Sequence, residues 1–150
     1  YKRQVTPLGE GYIDKSAATL PFVGDNAGET MVEMGRQFLG ERYLWGGTSS
    51  YGFDCSGFAY TLHRVLGFDI PRDADDQQEN GLPLAPEEIL PGDLVFFAYD
   101  HGTGYVHHVG MYIGNGKMIE SRTPGAKVDI AELTEPKFAS EFAGFRRYWR

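Results

Sequence analysis

The sequence predicts an α+β domain, a helical first half packed on a mainly antiparallel sheet. Three observations carry that prediction. Apolar residues recur at helical spacing in the first half of the chain, and at a spacing of two or in short solid runs in the second. Glycines and a Pro-Gly pair punctuate these segments at short intervals. No internal repeat or low-complexity stretch interrupts them, and 150 residues are enough for one domain with a core of its own.

Residues 1 to about 25 hold Pro7, Gly9, Gly11 and Pro21 without a sustained period. They read as an extended lead-in, a linker or a strap, with the folded domain over 26–150. Met31, Val32, Met34, Phe38 and Leu39 predict a helix over 28–39, stopped by Gly40. A glycine-rich loop follows over 43–52; it lacks lysine and does not match a phosphate-binding loop. A second helix begins at Asp54, with Phe58, Leu62, Val65 and Leu66 as its apolar stripe and Gly67 at its end. Asp73 offers a cap for a short polar helix over 74–80. The turn Pro91-Gly92-Asp93 leads into a buried strand over 94–99. Strands over 106–113 and 117–121 flank Gly114-Asn115-Gly116. Val128 and Ile130 mark another strand, 136–142 a short helix and 142–149 a last strand.

The formal net charge of −7 and the pI near 5.0 argue against nucleic acid as a partner, since phosphate binding needs clustered Lys and Arg. An acidic surface keeps a protein soluble and leaves a cationic or polyamide ligand open. No apolar run approaches the ~20 residues that span a bilayer. The start, Tyr1-Lys2-Arg3-Gln4, has neither a signal-peptide core nor an initiator Met, so a fragment or processed form is expected. The lone cysteine excludes an intrachain disulfide, and a cysteine-based metal site would need other ligands. A single Cys is ordinarily a small buried hydrophobe. Its neighbours argue otherwise here.

Asp54-Cys55-Ser56-Gly57 stands where the second helix starts. With Asp54 as N-cap, Cys55 takes the first helical position, where unpaired amides and the positive end of the helix dipole favour a thiolate. The same amides suit a carbonyl oxygen as it becomes an oxyanion. The glycine-rich loop before the helix would let a substrate backbone approach.

A thiolate needs a base, and the chain has four histidines. His63 lies eight residues beyond Cys55 on the same helix and is expected at solvent or the core edge. His101 belongs to a flexible Asp-His-Gly-Thr-Gly loop. In the strand that follows, a period of two puts His107, Val109, Met111 and Ile113 on an apolar face toward a core. His108, Gly110 and Tyr112 share the other face, with Gly110 leaving room beside the imidazole. A strand histidine is more often structural than catalytic, so parity makes His108 a candidate only. Glu120 is the candidate to orient it. An odd-length loop, Gly114-Asn115-Gly116, puts His108 and Glu120 on one face of the hairpin; a two-residue Asn-Gly turn would put them on opposite faces. The odd loop is the expectation.

Five segments in order resemble the NlpC-type family of cell-wall, peptidoglycan cysteine peptidases: Tyr43-Leu44-Trp45-Gly46-Gly47, Gly52-Phe53-Asp54-Cys55-Ser56-Gly57-Phe58, Pro71-Arg72, Leu90-Pro91-Gly92-Asp93-Leu94-Val95-Phe96-Phe97 and His108-Val109-Gly110-Met111-Tyr112-Ile113-Gly114. The resemblance spans roughly residues 30 to 150. It implies a circularly permuted papain-like fold, with Cys55 as nucleophile and His108 as base. The third polar position falls on Glu120, where many members have His, a departure that bears on the pH profile. The family's usual substrate is the γ-D-glutamyl–diaminopimelate or –lysine amide of peptidoglycan stem peptides. A further likeness, to the subgroup that takes peptides with a free N-terminal L-alanine, implies Tyr43 near the reacting carbonyl and Asp54, Ser56, Arg72 and Asp73 along the substrate groove. In that subgroup an upstream SH3-like domain narrows the groove, and residues 1–25 would be the tail of such a domain, ahead of a catalytic domain over 26–150.

The resemblance implies acyl transfer without metal or organic cofactor, on stem peptides or murein fragments. It also implies a secreted or cell-envelope location, with cytoplasmic recycling of murein peptides as the alternative; a monomer without a membrane span is the default. Two rivals stand beside it. A peptidoglycan-binding module that had lost catalysis would have no need of Cys55 and His108. A thiol acyltransferase or amidase on a related scaffold would want a broader apolar groove than Asp54, Ser56, Arg72 and Asp73 suggest.

Overall fold

Residues 2–6, 9–13 and 26–149 are described by a computed structural model of the chain. Within the expected lead-in, β1 (Lys2–Thr6) and β2 (Gly9–Ile13) form an antiparallel hairpin with Lys2 opposite Ile13 and Thr6 opposite Gly9. The rest of that segment lies outside the described residues, and with it most of the expected boundary near residue 25.

Helix α1 (Ala27–Arg36) buries Ala27, Met31 and Val32 together with Gly28 and Gly35. It is shorter than predicted because its last turn tightens: the amides of Gln37, Phe38 and Leu39 bond three residues back, and Gly40 closes the turn at φ +91°. The short strands β3 (Thr48–Ser49) and β4 (Gly52–Phe53) pair inside the glycine-rich loop, which leads directly into α2 (Cys55–Val65). Helix α3 (Ala74–Asn80) and strand β5 (Leu82–Leu84) follow. The second half carries β6 (Leu94–Ala98), the one-turn α4 (Tyr99–Gly102), β7 (Val106–Gly114), β8 (Lys117–Ser121), β9 (Val128–Glu132), α5 (Pro136–Glu141) and β10 (Phe142–Arg147).

Six strands form one antiparallel sheet in the order β5-β10-β6-β7-β8-β9. Strand β6 is buried along its whole length because both faces of the sheet are covered. Leu94, Phe96 and Ala98 face the helical half, where they join Met31, Phe53, Phe58, Leu62, Val109, Met111 and Ile119. Val95 and Phe97 face the other way, with Met118, Ala131, Phe145 and Phe138 of α5. Each large apolar side chain so buried contributes roughly 2–3 kcal/mol. The α+β prediction holds, and the helical layer stands on one face as expected.

Three local expectations need correction. On α2, Val65 is 57 % exposed while Ala59 and His63 are buried. The helix therefore turns its stripe toward Phe58, Ala59, Leu62 and His63, and His63 belongs to the interior rather than to its edge. Strand β7 carries two bulges. Phe97 pairs with His108 but Ala98 pairs with Val106, so His107 is an extra residue and Val106 takes the place on the apolar face expected for it. The hairpin loop is also shorter than predicted: pairing closes at Gly114 with Lys117, leaving the two-residue turn Asn115-Gly116 at φ 52° and 70°. A second bulge, at Ile113 between the Tyr112–Met118 and Gly114–Lys117 pairs, shifts the register by one residue. It restores the parity the short turn removes, and Glu120 still shares a face with His108.

Candidate active site

Asp54 adopts an extended conformation and caps α2, its Oδ1 accepting the Gly57 amide at 2.7 Å. Cys55 thus opens the helix, half-buried and the only cysteine. The glycine-rich loop lies directly on this helix start. A Cβ on Gly57 would come within 2.1 Å of the Gly47 carbonyl oxygen, so no larger residue fits without moving the loop. Gly46 donates its amide to Asp54 Oδ2 at 2.8 Å, and Arg72 donates to the same oxygen at 2.6 Å. Arg72 also donates to Ser56 Oγ at 2.9 Å. Buried Gln77 donates its side-chain amide to the carbonyls of Ser56 and Pro71, at 3.1 and 2.8 Å. The start of α2 is therefore tied to the loop before it and to α3 after it.

His108 reaches this helix from β7. Its Nε2 is hydrogen-bonded to Glu120 Oε2, and the Cys55 side chain faces it across the same cleft. Parity expected it to face away from a core, yet it is 4 % exposed because that face is covered too. The rings of Phe97 and Phe138 stack on it at 5.7 and 6.1 Å, with interplanar angles of 27° and 22°. Burial alone would lower the affinity of this imidazole for a proton. Cys55 and Glu120 beside it, through their charges and the Glu120 hydrogen bond, outweigh burial and lift it to about 9. Glu120 is fully buried, and its Oε1 accepts from Arg122 Nε and Nη2 at 2.7 and 2.6 Å.

A cleft of about 610 Å³ opens above Cys55 and His108. Tyr43, Asp54, Ser56 and Asp73 line it, four of the five expected substrate-groove residues. Burial, then the charges of Cys55 and Asp54, keep the Tyr43 hydroxyl protonated and a donor. Arg72 is not on the wall; it stands behind Asp54 and Ser56. Both Asp54 oxygens are occupied by Gly57, Gly46 and Arg72, whereas exposed Asp73 caps α3 without a side-chain hydrogen bond. Among the described residues no His, Cys, Asp and Glu cluster is arranged to hold a metal ion.

Residues 40–147 match the model of the NlpC/P60 family. The chain belongs to that family. It is 42 % identical over 147 residues to the gamma-D-glutamyl-L-lysine dipeptidyl-peptidase of Bacillus subtilis, covering 98 % of this chain and 50 % of the relative. It is 48 % identical over 122 residues to the Bacillus cereus protein of the same name, covering 81 % and 37 %. The crystal structure of an NlpC/P60 family protein from Bacillus cereus superposes with a TM-score of 0.91 at 40 % identity, over 99 % of this chain and 50 % of that one. The chain spans about half the length of the curated relatives it matches.

Within this NlpC/P60 domain the hydrogen bonds and ring contacts of the remaining histidines go to residues other than Cys55. His101 is exposed in α4, where it and Asp100 adopt left-handed backbone angles. His107 lines the cleft, stacked 4.2 Å from Tyr99 and bonded at 3.1 Å to Glu141 Oε2. His63 bonds through Nδ1 to the Ala59 carbonyl at 2.8 Å. Sequence reasoning passed over Arg122, Phe138 and Gln77. Arg122 had a signal, standing two residues beyond Glu120 just past the end of β8; Phe138 and Gln77 had none short of the tertiary fold.

Proposed function

We propose that this chain is a cysteine peptidase that cuts the γ-D-glutamyl–diamino acid bond of peptidoglycan stem peptides bearing a free N-terminal L-alanine. One observation carries the reading: a buried imidazole, hydrogen-bonded to Glu120, shares the floor of a cleft with Cys55, and the two side chains beside it raise its pKa to about 9. At neutral pH that imidazole is protonated, which suits an ion pair with a Cys55 thiolate. The names of the two Bacillus relatives support the choice of bond.

In the first step Cys55 Sγ bonds to the γ-glutamyl carbonyl carbon, and the oxygen takes the negative charge. The Cys55 amide and the Tyr43 hydroxyl are the donors for that oxyanion. As the C–N bond breaks, the His108 imidazolium gives its proton to the leaving amine, and a thioester remains. Neutral His108 then takes a proton from water while the hydroxide oxygen attacks the thioester. The C–S bond breaks, the acid is released, and the thiolate–imidazolium pair is restored. Glu120 holds the imidazole in place throughout.

Asp73 is the carboxylate for the α-ammonium of L-alanine, because Asp54 already neutralises Arg72. In intact wall that nitrogen is acylated, so the substrate on this reading is a released murein fragment. Residues 26–150 would be the catalytic domain and residues 1–25 the end of whatever precedes it. The test is incubation with L-Ala-γ-D-Glu-diaminopimelate, its lysine analogue and N-acetylated versions, followed by mass spectrometry. Release of the free diamino acid is expected from the unblocked peptides and none from Cys55→Ala. No cleavage of any of them would sink the peptidase reading; equal cleavage of blocked peptides would sink the L-alanine requirement alone.

A further inference from the structure

Glu120 buries a full carboxylate behind His108, and an imidazole can engage only one of its oxygens. The second oxygen, Oε1, is held by Arg122 through both Nε and Nη2, at 2.7 and 2.6 Å. Among the described residues Arg122 is its only partner. The guanidinium also lies 4.7 Å over the Phe138 ring, and Phe138 stacks on the other side of the arrangement against His108. Arg122, Glu120, His108 and Phe138 therefore close a ring of contacts in which moving one displaces the next. The arginine is 30 % exposed and lines the cleft, so its charge is not lost to bulk water.

We propose that Arg122 is a positioning residue for the general base, fixing the Glu120 carboxylate and moderating its pull on the His108 proton. The proposal rests on the peptidase reading for its role in turnover. Where the resemblance implies a neutral histidine in many relatives, this chain has an anion, and Arg122 supplies the compensating cation. The other charges around the pair are accounted for. Cys55 approaches from α2, and Asp129 of β9 lies opposite Glu120 in register. Glu135 sits 3.7 Å from Arg122, ahead of α5, and Lys137 of α5 lines the cleft. His107, next in sequence, is paired with Glu141.

The sign follows from charge. Without the guanidinium, the anion beside His108 is less neutralised, and the pair releases its proton at higher pH. The measurement is the rate of Cys55 alkylation by iodoacetamide across pH 5–11, which needs no substrate, run beside kcat and KM on L-Ala-γ-D-Glu-diaminopimelate. In Arg122→Met the alkaline limb is expected to rise by about one pH unit, with kcat down about tenfold and KM little changed. Arg122→Lys should keep the limb near its original place while kcat stays reduced, since the charge remains but the fork does not. In a Glu120→Gln background Arg122→Met should move nothing further. An unmoved limb in Arg122→Met, or the same shift in the Glu120→Gln background, overturns the proposal. If Arg122→Met does not fold, Arg122→Gln carries the same test without charge. Failure of wild type to cleave peptide while the alkylation limb still shifts would refute the peptidase reading and leave the Arg122–Glu120–His108 coupling standing.

Discussion

His63 and His108 are both buried, at 0 % and 4 % exposure, and both are surrounded by aromatic rings, yet their protons are held in opposite ways. Burial pulls His63 down to about 4, and the Ala59 carbonyl offsets it only slightly. Burial acts on His108 in the same direction, but Cys55 and Glu120 reverse the outcome and raise it to about 9. The difference lies in the source of the partners. His63 finds one neutral acceptor a turn back on its own helix, and its Nε2 has no partner among the described residues. His108, on a strand, draws ionisable groups from α2 and β8. Interior position alone strips a histidine of its proton; anions brought from separate elements let it keep one.

The largest expected effect comes from making His108 resemble His63. Glu120→Gln keeps a similar shape but removes the anion, so the imidazole should lose its proton at lower pH and the alkaline limb of kcat/KM should fall. The loss of imidazolium and of ring orientation is expected to cost about 100-fold in kcat/KM at pH 7.5, or about 2.7 kcal/mol of transition-state stabilisation. A pH–rate profile from 5 to 10 checks it. A profile like that of wild type would mean that Cys55 alone holds the imidazole, and Glu120 would leave the site.

The second effect reads His63 through stability. Its folded pKa lies below the unfolded value of 6.5, so its neutral form contributes stability that is present above pH 6.5 and lost as pH falls toward 4. Between pH 7 and pH 4.5 the loss amounts to roughly 2 kcal/mol. His108 has the opposite sign: its contribution is present below pH 6.5 and lost as pH rises toward 9. Urea unfolding at pH 7 and pH 4.5 should show a steep acid loss in wild type and a shallower one in His63→Leu. Parallel losses in the two proteins would place the acid sensitivity elsewhere.

The contrast also explains what could be read from the chain. The start of α2 was legible because an N-cap, an abrupt apolar stripe and a terminating glycine are local signals, and Cys55 sits at their junction. His108 was legible through strand parity, but its burial was not: the second aromatic layer needs Phe138 of α5, 30 residues away, to be brought onto the sheet. Glu120 was assigned the correct face through an incorrect loop. A one-residue bulge leaves the alternation of a sequence unmarked, so neither His107 nor Ile113 announced itself. His63 was misjudged because a polar residue on an apolar stripe does not reveal which neighbours will cover it; here Phe68 and Tyr148 do. Arg72 was placed in the groove by resemblance, whereas its hydrogen bonds make it a buttress for Asp54 and Ser56.

The smallest effect separates the cage around His63 from its titration. Tyr148 stands edge-on to His63 at 5.9 Å and donates its hydroxyl to the Gln77 carbonyl at 2.7 Å. Burial pushes that hydroxyl up to about 12, so it remains a donor throughout the working range. Tyr148→Phe keeps the ring against His63 and removes one hydrogen bond, for an expected loss of about 1 kcal/mol. Because the hydroxyl bonds to α3 rather than to the imidazole, the loss should be equal at pH 7 and pH 4.5. Gln77 also holds the Ser56 carbonyl, so a slackened α3 would reach Cys55 through this contact and register in kcat. Unchanged kcat together with a pH-independent loss of stability would mean that the cage supports the fold alone. A loss confined to acid pH would make Tyr148 part of the proton balance of His63, and the two buried histidines would then differ less than their surroundings suggest.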